Sequence, residues 1–156
     1  MPKIRCDADI LPSLKFFCEY AGIPAEITDD TDFDICIFSK LDAEIINNLN
    51  SHVIIIANGD DPELLHGLDG IKNTIITCGM SAVSTLTLSS TCDGDFVVCL
   101  QRAIPTLSGH ILGFREIPVH LGEISMELCH LILLLALCII CGINIDELRP
   151  KERNDL

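Results

Sequence analysis

Residue types capable of chemistry gather at a few places in this 156-residue sequence. The most suggestive is Asn58-Gly59-Asp60-Asp61-Pro62, an amide and two carboxylates directly after the apolar run Val53–Ala57. Such a run, β-branched at four of five positions, fits a strand buried on both faces of a parallel sheet. Asn58-Gly59 then forms a turn, and Asp-Pro offers an N-cap acid with a proline suited to the first helical position. Open α/β sheets hold ligands where a strand ends in a polar turn before a new helix. A well-capped turn with no ligand reads the same way. A second place is Cys6-Asp7-Ala8-Asp9-Ile10-Leu11-Pro12, where a nucleotide-binding α/β protein would carry a glycine-rich phosphate loop. This stretch has no glycine and no lysine, and its aspartates would repel phosphate oxygens.

Other constellations read as structural. Asp29, Asp30, Asp32 and Asp34 crowd into six residues but lack EF-hand spacing, which favours a solvated acidic loop over a cation site. Cys138-Ile139-Ile140-Cys141, with Cys129 and His130 nearby, could be drawn as a metal site or redox pair. It falls at the C-terminal end of an apolar helix, whereas a redox pair belongs at an exposed helix N-terminus, so core packing is expected. His130 reads as a hydrogen-bonded core or boundary histidine. His52, His66, His110 and His120 show no metal spacing, and Ser108-Gly109-His110 lacks a nucleophile elbow. His120, Glu123 and Glu127 share a neighbourhood only if an unplaced turn allows it. No catalytic set and no metal site are expected.

The elements that must position these residues follow from periodicity. Strands are expected at 3–6, 33–38, 53–57 and 74–78, and helices at 13–21, 41–49 and 63–68, with Asp42 and Glu44 in the first turn of the second helix. From Ser84 the texture changes to alternation: 85–90, an Asp93-Gly94 hairpin signal, 95–101, then 104–107 and 111–120. Leu128–Asn144 is uncharged for 17 residues, the lower limit for a membrane span. It has no aromatic belt or flanking basic cluster, and Gly142 and Asn144 look like a helix C-terminus, so a buried helix is expected. Asp146–Arg149 reads as the start of a further helix, and the polar tail 150–156 suggests a fragment or a domain without a further module. The fold class is therefore α/β: a single domain over 1–156, its mainly parallel sheet flanked by helices, with a small antiparallel meander at about 84–120.

Composition bounds the function. A net charge of -13 opposes binding to nucleic acid or an anionic membrane. Nine cysteines, an odd number scattered through apolar runs without a secretory signal, point to a reduced, cytoplasmic protein.

The order of elements resembles the central, ATP-binding domain of the Mur ligase family, which joins amino acids to UDP-N-acetylmuramyl precursors of peptidoglycan. The pieces that carry the resemblance are IIIANGDDPELL, IITCGM, TLTLSSTCDGDFVVCLQ through REIPVHL, and HLILLLALCIICGINIDEL, spanning about Phe33 to Leu148. The resemblance implies a Rossmann-like fold and ATP or ADP as the candidate ligand, no other cofactor being expected. It implies that Asn58 contacts the adenosine part, with Asp60 and Asp61 on the same side and capping the following helix. The family's phosphate loop, Gly-x-Asn-Gly-Lys-Thr, corresponds to Cys6–Leu11 here, with none of those residues in place. Its metal-binding Glu and His, its modified lysine and its His-Asn pair before the long helix have no counterparts either. The expectation is a degenerate domain without ATP turnover, serving as a weak adenine-nucleotide binder or as an interaction module for cell-wall or related machinery. Two alternatives stand: an amide-bond ligase component whose protein partner supplies the phosphate site, and a ligand-free structural or interaction domain.

Overall fold

The computed structural model describes residues 1–92, 94–122 and 124–149; Asp93 of the hairpin signal, Glu123 and the tail 150–156 lie outside them. Strand β1 (Lys3–Cys6) leads into helix α1 (Leu11–Ala21), which Gly22 ends in the left-handed conformation. The two-residue β2 (Glu26–Ile27) follows, then β3 (Ile35–Phe38), α2 (Ala43–Asn47), β4 (Ile54–Asn58), α3 (Pro62–Gly67) and β5 (Ile75–Cys78). Next come β6 (Leu86–Cys92), β7 (Asp95–Leu100), β8 (Ile104–Pro105), β9 (Ile111–Leu112) and β10 (Arg115–His120), and last α4 (Leu128–Ile140) with a 3₁₀ turn at Ile145–Glu147.

The main sheet runs β10-β7-β6-β5-β4-β3-β1-β2. It is parallel from β2 to β6, and β7 and β10 add antiparallel strands to that edge. The expected α/β class with a mainly parallel sheet is what the chain forms. The alternating segments do not stand apart as one meander: β6, β7 and β10 continue the main sheet, and β8 with β9 forms a separate two-stranded antiparallel sheet. β6 overlaps β5 only at Cys78↔Leu86, so this wing starts where the parallel part ends.

Strand alternation sorts the core into two faces. Ile35, Ile37 and Ile56 point to the face covered by α1 and α4, and Cys36, Phe38, Ile55 and Ala57 to the face covered by α2 and α3. Helix α4 is buried from His130 to Ile140 and packs on β4, β5 and β6. Full burial of one Leu or Ile side chain contributes about 1.5–3 kcal/mol, so a helix buried all round anchors this face despite its polar N-terminal turn. No helix among the described residues is long and apolar enough to cross a membrane.

Three expectations are corrected. The expected helix at 146–149 is a single 3₁₀ turn, because Glu147 N–H bonds Asn144 C=O, Leu148 N–H bonds Ile145 C=O, and Leu148 is extended. The second helix is shorter than 41–49: Asp42 is its N-cap, accepting from Ile45 N–H at 3.2 Å, and not a first-turn acid. Strand β2 was not expected; two residues carry no readable alternation, and it forms by parallel pairing with Lys3 and Ile4.

Candidate functional site

Because α1 lies on one face and α2 and α3 on the other, the winding direction reverses between β1 and β3. Ligand crevices of open α/β sheets lie at such a point, outside the carboxyl ends of the strands. Here the residues after β1 and β3 bind each other. Asp7, 4% exposed, accepts from Ser39 N–H at 2.7 Å through Oδ1 and from Ser39 Oγ–H at 2.6 Å through Oδ2. A buried carboxylate thus satisfies the backbone N–H after β3.

Asp9, two residues further into the turn, faces outward. Its Oδ2 lies 3.1 Å from Ser39 Oγ and 3.1 Å from His130 Nε2, and its Oδ1 is 3.5 Å from Lys40 Nζ. The hydrogen bond from His130 comes first, and Ser39 and Lys40 add to it, in holding the Asp9 carboxyl below its ordinary range against a partial desolvation cost. His130 is buried at the start of α4; its Nδ1 sits 2.9 Å from Ser13 Oγ in the first turn of α1, and Glu127 Oε2 lies 3.7 Å from Nε2. The expected hydrogen-bonded boundary histidine is therefore the joint between two helix starts. Both starts lack side-chain caps, at Ile10 and at Glu127. The sequence held no signal that Ser13, Ser39 and Lys40 belong here.

The three residues singled out after β4 split their tasks. Asn58 donates from Nδ2 to Ser39 C=O at 3.3 Å and accepts Asp60 N–H on Oδ1 at 3.0 Å, so both ends of its amide are engaged. Asp61 caps α3, accepting from Leu64 N–H at 3.2 Å. Asp60 does not cap that helix, contrary to expectation; it accepts Met80 N–H at 2.8 Å and Ser81 N–H at 3.4 Å. A Cβ on Gly79 would come within 2.6 Å of the Asp60 carboxylate, and one on Gly59 within 2.6 Å of the buried Ser84 Oγ, so both glycines serve close packing. Asn58 and Asp60 thus sit at the ends of β4 and β5, joined through Ser39 to the Asp7–Asp9 cluster.

The remaining candidates stay apart. Arg5 donates to the backbone carbonyls of Asp29 and Asp30, and Asp34 Oδ2 accepts Lys3 N–H at 2.8 Å, which ties the acidic loop to β1. His120 Nδ1 lies 2.9 Å from Asp95 Oδ1, on the wing. Cys138 is fully buried, and burial pushes its thiol up; Cys141 at the helix end is pushed up to about 11, again chiefly by burial. Thiols held protonated are poor redox nucleophiles or metal ligands, as core packing requires. Among the described residues no group of three or more His, Cys, Asp or Glu could hold a metal ion.

With this geometry in view, the chain is similar in fold to two solved Mur ligases. One is the UDP-N-acetylmuramate:L-alanyl-gamma-D-glutamyl-meso-diaminopimelate ligase from Neisseria meningitides, with TM-score 0.59 and 13% identity over 92% of this chain and 62% of that one. The other is the MurF ligase from Thermotoga maritima in complex with ADP, with TM-score 0.53 and 9% identity over 92% of this chain and 46% of that one. The chain therefore spans under two thirds of the length of either protein, and at these identities the likeness is one of fold. No protein-family model and no curated protein matches the sequence.

Proposed function

We propose that this chain is a Mur-ligase-like domain that does not turn over ATP and acts as an interaction module for cell-wall or related machinery, with weak adenosine contact at Asn58 as its small-molecule capacity. One observation carries the reading: the turns after β1 and β3 are tied together by carboxylates, Asp7 on Ser39 and Asp9 on His130. Like charges about 4 Å apart near a protein surface repel by up to ~4 kcal/mol before pairing and solvent screening reduce it. A γ-phosphate at this turn would meet Asp9; residues 6–12 hold no lysine and no glycine, and Lys40 is already paired with Asp9 at 3.5 Å. Asn58 supports adenosine contact less strongly, since a base must compete with Ser39 C=O and Asp60 N–H for its amide. The free thiols of Cys6, Cys36, Cys78, Cys138 and Cys141 support a reduced, cytoplasmic setting.

Calorimetric titration with ATP and ADP plus magnesium, run beside a phosphate-release assay, tests this directly. We expect no phosphate release above the protein-free blank and a Kd of about 1 mM or weaker. Sustained release by the purified chain would overturn the proposal.

A further inference from the structure

We propose that Ser13, His130 and Asp9 form a hydrogen-bonded nucleophile relay that accepts acyl groups from small activated esters. The relay is contiguous: Ser13 Oγ lies 2.9 Å from His130 Nδ1, and His130 Nε2 lies 3.1 Å from Asp9 Oδ2. These are the two bonds that a serine nucleophile needs, hydroxyl to base and base to orienting carboxylate. The partners assign the tautomer. An ionised carboxylate only accepts, so Nε2 carries the proton and Nδ1 keeps the lone pair that faces the Ser13 hydroxyl. Asp9 is itself fixed, by Ser39 Oγ–H on the same oxygen and Lys40 on the other.

Placement fits the chemistry. Ser13 is half-buried, so solvent reaches it, while His130 is 5% exposed and shielded as a base should be. The first backbone bond of α1 is Leu14 N–H to Ile10 C=O, so the N–H groups of Leu11 and Ser13 precede the helical ladder. In the proposed reaction these two N–H groups would serve the oxyanion formed beside Ser13 Oγ.

In the reaction Ser13 Oγ attacks the ester carbonyl carbon as its proton passes to His130 Nδ1. The tetrahedral intermediate expels the alcohol, which takes that proton, and leaves acyl-Ser13. Water then attacks the acyl carbon, gives a proton to His130, and releases the acid as the proton returns to Ser13 Oγ. His130 is the catalytic base, and Asp9 is a positioning residue.

The probes are a fluorophosphonate, read by mass spectrometry of the intact full chain and its peptides, and p-nitrophenyl acetate. The wild type is expected to form one adduct, on Ser13, and Ser13→Ala none, while Ser108→Ala labels like wild type. Asp9→Asn is expected to slow labelling by about 10²–10⁴-fold in a chain that still folds at the assay temperature, because an amide lets Nε2 accept and leaves the proton on Nδ1. Asp9→Glu, which keeps the carboxylate, is expected to recover part of that loss. A folded wild type without a Ser13 adduct, or Asp9→Asn and His130→Gln labelling as fast as wild type, would overturn the proposal. Either result leaves the reading of the turn after β1 intact, since that rests on charge and not on nucleophilicity.

Discussion

Asp7 and Asp9 stand two residues apart and do different work. Asp7 is buried and answers the N–H and hydroxyl of Ser39, so its loss strands a buried donor. We expect Asp7→Ala to lower unfolding free energy by about 1–3 kcal/mol, checked by urea denaturation. Asp9 is more exposed, and its effect is one of pH. Its carboxyl is held below the ordinary value of 3.8, so the folded state binds that proton less readily than the unfolded state. The stability it contributes is present above about pH 3.8 and is lost as pH falls through the lower folded value. Asp9→Asn is expected to flatten the acid limb of a stability–pH curve below that point and leave the limb above it parallel to wild type. That residues 6–12 contain no glycine and no lysine is legible in the sequence. The partners of Asp7 and Asp9 are not: Ser39 lies 32 residues from Asp7 and His130 lies 121 residues from Asp9, and no local pattern encodes such pairings.

Among the elements, the apolar run that becomes α4 was the easiest to read and carries the most packing. Eleven consecutive residues, His130 to Ile140, are buried in it. Leu134, fully buried, lies in a closely packed interior, so Leu134→Ala is expected to cost about 2–5 kcal/mol, measured by thermal or urea unfolding. Strands β3, β4 and β5 were legible for a related reason: runs rich in Ile between turn formers have few other uses. The segments read less well are those whose form is set by a neighbour. β2 exists through its pairing with β1, and the turn at Ile145–Glu147 is packed against β10. The split role of Asp60 and Asp61 belongs here too, because which acid caps α3 depends on where the turn after β5 comes to lie.

For the whole molecule, the sheet sets a crevice position by topology, and carboxylates of the turn after β1 bond across it. The order β5-β4-β3-β1-β2, with helices changing face between β3 and β1, is the arrangement in which α/β proteins collect ligands. The chain shares its fold with a ligase solved with ADP, which makes ADP the probe to use at that crevice. Asp7, Ser39, Asp9, His130 and Ser13 instead form one bonded chain from the end of β3 to the starts of α1 and α4. The measurement that tests this most directly is an amide chemical-shift map of the full chain during titration with ADP and magnesium. The account predicts that amides of residues 6–13, 39 and 128–130 stay in place up to millimolar ADP, with any small shifts confined to the neighbourhood of Asn58. Saturable shifts across the turn from Asp7 to Ser13 at micromolar ADP would contradict it.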